Sequence, residues 1–279
     1  MKNLNLEINY YKNKNIKPIY APTFFWNKLI NNNYKAIKNG KLKIFRNQKG
    51  GFSGFVPFHS EIRRFKVTKN NLIEINKLIY SFKIITKAKK KISNLIFSSL
   101  SGLDRAKDSY KTLLTDNIKP YFHNFKESKV GKPTEQFSFN NSIFSASSLN
   151  YLTGLLFLKN NIKKLDNKVY LEIGGGFGTV GEILIKLKFK NVKYINLDLP
   201  PLNIISKFYL QNACKRNVTD HFDFQKKDVI KISELKTLSC FPNFDIEKFK
   251  GKIDVFINFI SFQEMEYDVV KNYIDKIFI

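Results

Sequence analysis

Cysteine is nearly missing from this 279-residue chain, with Cys214 and Cys240 the only two. Two cysteines give no disulfide framework, and neither belongs to a Cys-x-x-Cys pair. With histidine confined to positions 59, 123 and 221, no Cys/His cluster has zinc spacing, so no metal site is expected. Long apolar runs are also missing: no stretch nears the roughly 18 residues needed to span a bilayer. The first ten residues, Met1 to Tyr10, hold no apolar core of a secretory signal. A cytoplasmic protein without a membrane span is the expectation. Acidic residues are few, 23 against 48 basic, which leaves a net charge of +25. Arginine is scarcer still, because only positions 46, 63, 64, 105 and 216 carry it. Arginine is the side chain suited to bidentate phosphate recognition, so the lysine-dominated charge argues against a dedicated nucleic-acid surface. The densest basic run, Lys83 to Lys91, has apolar residues at 84, 85, 88 and 92 and reads as an amphipathic helix with a solvated lysine face. Neither a two-carboxylate glycosidase pair nor a Ser-His-Asp set can be assembled from the remaining polar residues.

Apolar residues make up 43% of the chain, enough to bury a core in one large or two modest domains. Organisation changes near residue 167. Upstream, residues 1–166 show no alternation of strands and helices, only candidate helices over 23–38, 70–98 and 145–160. The breaks between them run from Gly50 to His59 and from Val130 to Thr134. This part is expected to form a mostly helical cap over a substrate. Trp26, Phe52, Phe55 and Phe58 are candidates for stacking on a ligand, although aromatics so placed commonly belong to a core.

Downstream, residues 167–279 carry the chemistry. Val169-Tyr-Leu-Glu-Ile173 is a short apolar run that meets Gly174-Gly-Gly-Phe-Gly178, and apolar residues then recur at helical spacing from Thr179 to Leu187. Glycines between strand and helix allow positive φ and let a ligand lie against the main chain, with unpaired N–H groups of the helix beyond. A nucleotide-like cofactor suits such a turn. Gly176, Gly178 and Gly181 also satisfy the dinucleotide pattern G-x-G-x-x-G, and Asp198 follows 17 residues later, near the position of a ribose-binding acid. An NAD site therefore stays open. Glu172 argues the other way, because a carboxylate at the strand tip would repel a pyrophosphate and tolerate a sulfonium or ammonium.

A second run, 191–197, ends at Asp198 and Leu199. Asp198 can accept hydrogen bonds from two ribose hydroxyls or can serve as an ordinary acid at a helix start. Pro200 and Pro201 end the strand and open a helix over 202–213. A third run over 221–225 leads to Asp228, assigned to the adenine edge. A fourth, 252–262, leads through Ser261 into Gln263 and Glu264 and a helix from Tyr267. In an open α/β sheet ligands bind beyond the carboxyl ends of strands, so positions 174–178, 198–199, 228 and 261–264 are expected to converge. Glu264 is the first candidate for a general base, with His59 and His123 next; His221 lies at the wrong end of its run.

The strings Leu171-Glu-Ile-Gly-Gly-Gly-Phe-Gly178, Tyr194 to Pro201, Ser261-Phe-Gln-Glu-Met265 and, upstream, Ser148-Leu-Asn-Tyr-Leu-Thr-Gly154 together resemble the sugar O-methyltransferases. The likeness covers residues 140–279 and is loose before them. It implies a Rossmann-like class I methyltransferase sheet and S-adenosylmethionine as donor. It also implies a sugar hydroxyl as acceptor, in polysaccharide synthesis. With the strand-end reading above, Glu172, Gly174, Gly175, Gly176, Gly178, Asp198, Leu199, Asp228 and Ser261 are the candidate cofactor-binding residues. A whole fold of that class has three further strands, so the sheet is expected to be C-terminally incomplete and to leave an open edge. An NAD-dependent oxidoreductase and a truncated, non-catalytic cofactor-binding module are the alternatives.

Overall fold

The computed structural model describes residues 2–54, 73–74, 77, 104–134, 136–162 and 164–277. The expected lysine-faced helix at 83–91, and Phe55, Phe58 and His59, lie outside them, as do all but three positions of the helix expected over 70–98. The chain is mixed α/β.

Helix α1 (Lys2–Asn13) and α2 (Phe24–Lys38) come first, with Thr23 capping α2 through its hydroxyl. A third helix, α3, covers 104–114. A hairpin of β1 (Phe137–Phe139) and β2 (Ser142–Phe144) follows, and α4 (Ala146–Ile162) leads to the sheet. The hairpin was not legible as a strand pair, because three-residue strands carry almost no periodicity. Its turn residues Asn140 and Asn141 take φ of 44° and 64°, the left-handed pair that a tight two-residue hairpin requires.

The sheet is built from β3 (Val169–Ile173), α5 (Thr179–Lys186), β4 (Lys193–Asp198), α6 (Leu202–Cys214), β5 (Thr219–Asp220), β7 (Leu238–Pro242) and β9 (Val255–Ile257), before α7 (Tyr267–Ile277). A small parallel pair, β6 (Ile230–Lys231) with β8 (Phe249–Lys250), lies outside it. Strand order is β5-β7-β4-β3-β9, all parallel. The arrangement is compatible with a Rossmann-like fold. Strands β3, β4 and β7 are buried almost throughout, as parallel strands covered on both faces must be. Among the described residues β9 is one edge of the sheet.

The third strand corrects the sequence reading. His221 to Phe224 form a 3-10 turn, because Asp220 accepts hydrogen bonds from the N–H groups of Phe222 and Asp223 while Asp223 accepts from that of Asp220. The strand beside β4 is Leu238–Pro242 instead.

Register sets the site. Ile173 pairs with Leu197, and Asp198 with Pro242, so Gly174, Leu199 and Asn243 all emerge at one end of the sheet. The helical N-terminal part packs on the same body: one buried cluster contains Ile8, Tyr34 and Leu149 together with Val180 and Tyr209. The main-chain N–H of Ser128 donates to Glu182 on α5 at 2.8 Å, and Arg46 forms a buried ion pair with Glu127. No helix of the described residues is long and apolar enough to cross a membrane.

Candidate functional site

A cavity of about 270 Å³ opens where the carboxyl ends of the strands meet the N-terminal helices. Its floor is the glycine loop. Gly174 has φ of 71°, and a Cβ there would lie 2.1 Å from the Ser261 hydroxyl, so any side chain is excluded. A Cβ on Gly175 would lie 2.6 Å from the Glu172 carboxyl beneath it. Gly174, Gly175 and Gly176 line the cavity with Phe177, while Gly178 starts α5 and turns toward Ser206 and Leu210.

Asp198 lines the cavity from the tip of β4. Its carboxylate accepts from the N–H of Gly176 at 2.8 Å and of Leu199 at 2.7 Å. Burial pushes the carboxyl up to about 7, against the pull of those two N–H groups. Leu199 lines the wall beside it, and Ser261 closes the floor. The Ser261 hydroxyl donates to Ile173 O at 3.0 Å and accepts from Asn258 at 2.7 Å, so it braces the loop.

Three cofactor assignments change: Gly178 turns away from the cavity toward Ser206 and Leu210, and Glu172 and Asp228 lie outside it. Glu172 does not line the cavity. It is buried under the loop and accepts from the Tyr194 hydroxyl at 2.5 Å. Burial raises its carboxyl to about 8, with the Tyr194 bond opposing and Asp198 adding. An alternating strand sends Glu172 into the sheet's flank and not off its tip. Asp228 is exposed and away from the cavity, because the run it was assigned to is a turn.

Asn243, at the end of β7, stands in the wall where Asp228 was expected. Its amide donates to Tyr20 O and to the Tyr273 hydroxyl, both at 2.9 Å, and its Oδ1 is buried without a partner. An unpaired buried acceptor is costly unless a donor arrives. Sequence reading passed over Asn243, although the short run Leu238-Ser-Cys-Phe241 closed by Pro242 precedes it.

The opposite wall belongs to the N-terminal part: Ile19 to Thr23, Trp26, Ser53, Gly54, Ser147 and Tyr151. The Trp26 indole N–H donates to Glu264 at 2.8 Å, which fixes that carboxylate at the cavity rim. Phe52 is core. His123 stacks on Tyr121 and His221 is buried between Asp245 and Tyr10, both outside the cavity. Gly154 meets the Phe259 ring, so the string 148–154 docks on the exit of β9. Among the described residues no group of three or more His, Cys, Asp or Glu could hold a metal ion.

No family model matches the sequence. The chain is 28% identical over 240 residues to Protein Ycf2 of Physcomitrium patens, an alignment that takes in 78% of this chain. It spans about a tenth of that relative, 10% of its length, and at this identity no family is shown.

Proposed function

We propose that the chain binds S-adenosylmethionine and transfers its methyl group to a hydroxyl, with a sugar as the acceptor that the resemblance suggests. The observation carrying this reading is the convergence of the glycine loop, Asp198, Asn243 and Glu264 on one cavity. The residues fit the cofactor: the main chain of Gly174 to Gly176 lines the cavity, where a nucleoside can lie against it, and the orphaned Asn243 Oδ1 suits an exocyclic amine. Asp198 is placed to take ribose hydroxyls.

When bound, S-adenosylmethionine supplies a methyl group on a sulfonium, a donor already activated. What remains for the protein is alignment and removal of the acceptor proton. Glu264, held by Trp26, accepts that proton at the cavity rim. Trp26 lines the same cavity as an aromatic on which the ring of the acceptor can stack, and the apolar walls exclude water.

An NAD-dependent oxidoreductase gains one observation, since Glu172 is turned away from the cavity and its raised pKa leaves it largely neutral. Against it, Gly176 begins the dinucleotide pattern two residues beyond the turn made by Gly174. Incubation with methyl-labelled S-adenosylmethionine and a panel of free sugars and sugar nucleotides tests the transfer. Label should pass to an acceptor in the wild type and not with Glu264→Gln; no labelled product from any acceptor counts against the activity.

A further inference from the structure

Charge is spread unevenly along the chain. Between Glu7 and Glu61 there is no acidic residue, while ten basic residues fall in that stretch, at 12, 14, 17, 28, 35, 38, 41, 43, 46 and 49. Arg46 is buried against Glu127, and Lys17 reaches Glu247 at 2.6 Å. Lys28, Lys35, Lys38, Lys41, Lys43 and Lys49 are exposed, and none has an ion-pair partner among the described residues. Elsewhere lysines find carboxylates, as Lys186 does with Glu182, Lys227 with Glu234 and Lys271 with Asp275.

Helix α2 gathers this charge on one side. Phe24, Lys28, Asn31, Lys35 and Lys38 follow one another at intervals of four and three, hence lie along one face, and all are exposed. The face ends in aromatics beside the cavity. Phe24 is 96% exposed and Phe25 62%, and the Phe25 ring meets that of Trp26 with centroids 5.7 Å apart. Trp26 holds Glu264 at the rim, and residues flanking Glu264 in the chain are bare as well: Ile260, which lines the cavity, is 51% exposed and Tyr267 78%. Large apolar side chains from two separate segments thus meet at the rim, the kind of exposed patch that marks an interaction site.

We infer that this face docks on an anionic lipid bilayer, with Phe24, Phe25 and Tyr267 entering the headgroup layer and the lysines of α2 and of the turns after it facing lipid phosphates. Aromatics bordered by free lysines match a surface that is negative outside and apolar beneath. They match a nucleic acid less well, since arginine is the favoured phosphate contact and the one arginine of the stretch is buried in an ion pair. The inference goes beyond the cofactor reading and does not depend on it; its consequence is that the rim at Trp26 and Glu264 opens toward the bilayer.

Sedimentation of the full chain with vesicles tests this. Binding is expected with vesicles of mixed phosphatidylglycerol and phosphatidylcholine and not with phosphatidylcholine alone, and it should weaken as salt is added. Lys28→Gln, Lys35→Gln and Lys38→Gln together should weaken it by about 100-fold, at roughly fivefold for each lysine near a charged membrane surface. Phe24→Gln should cost about tenfold, a loss that persists at high salt because it is apolar in origin. A control triple removes exposed lysines that precede β3 and β4, at the end of the sheet opposite the cavity: Lys164→Gln, Lys188→Gln and Lys190→Gln should stay within about threefold of wild type, since charges beyond a screening length contribute little. Every substituted position is exposed, and melting temperatures check that the variants fold. No binding to the anionic vesicles, equal binding to both vesicle types, or an equal loss in the control triple overturns the docking surface. So does binding of polyuridylate that displaces the vesicles and depends on the α2 lysines but not on Phe24, which would assign the face to a nucleic acid.

Discussion

The Asp198 carboxylate and the Gly176 N–H lie 2.8 Å apart, so the tip of β4 and the loop after β3 are tied by a side-chain bond at the point where the cavity begins. A second bond, from Leu199 N–H at 2.7 Å, holds the other oxygen. The carboxylate is thus oriented before any ligand arrives, and each oxygen keeps a lone pair for a hydroxyl donor. Orientation in advance lowers the entropy lost on binding.

That arrangement predicts a pH dependence of binding. With the Asp198 carboxyl at about 7, a large share of the free protein carries it protonated near neutrality. A ribose diol uses the ionised form, so affinity for S-adenosylhomocysteine should rise as pH increases through 7. About tenfold tighter binding at pH 8 than at pH 6 is the upper limit for one such group. Asp198→Asn should bind weakly at both values and lose the slope, as read by titration in matched buffers.

Glu172 predicts a pH dependence of stability with the opposite tendency. Its folded pKa, about 8, lies above the ordinary value of 4.5, so the folded state holds a proton that the unfolded chain has released. Stability is therefore lost as pH rises from about 4.5 to about 8, and Glu172→Gln should remove that loss. Urea unfolding at pH 5.5 and pH 9 should show the variant gaining a few kcal/mol relative to wild type at the higher value, of the order that linkage gives for a shift this large. An equal difference at both values would place the Glu172 proton elsewhere.

Gly174→Ala should be severe. The added Cβ meets the Ser261 hydroxyl at 2.1 Å, and φ of 71° is unfavourable for alanine. A loss of about 1–3 kcal/mol in unfolding free energy is expected for such a strained position, with ligand affinity reduced further. Ser261→Gly in the same chain should recover part of the stability by removing the steric conflict while leaving the backbone strain.

Glu264 and Trp26 are expected to separate chemistry from binding. Glu264→Gln should lower the rate of methyl transfer by about 10²- to 10⁴-fold, the range for a general base, with S-adenosylhomocysteine affinity within about twofold of wild type. Trp26→Phe removes the hydrogen bond at 2.8 Å and should cost a smaller part of that rate. Single-turnover kinetics reads both.

Strands β3 and β4 were legible because parallel strands buried on both faces read as continuous apolar runs ended by glycine or proline. Asp198 and Gly174 to Phe177 followed from that and line one cavity, whereas Gly178, expected with them, turns away from it. The third strand was not legible. His221-Phe-Asp-Phe-Gln225 alternates like a strand, and only the reciprocal bonds of Asp220 and Asp223 turn it into a 3-10 turn. With it went Asp228, and Asn243 was missed. Glu172 was misplaced for a different reason: its spacing from the glycines says how near it lies along the chain, whereas the face it takes depends on where β3 ends. The partnership of Trp26 with Glu264 joins residues 238 positions apart, beyond the reach of any local pattern.

Calorimetric titration of the purified chain with S-adenosylhomocysteine and with NAD, repeated on Asp198→Ala, tests the central claim most directly. The account predicts micromolar binding of S-adenosylhomocysteine that is lost in the variant, and no comparable binding of NAD. Tight binding of NAD that depends on Asp198, with none of S-adenosylhomocysteine, would contradict it and assign the cavity to a dinucleotide.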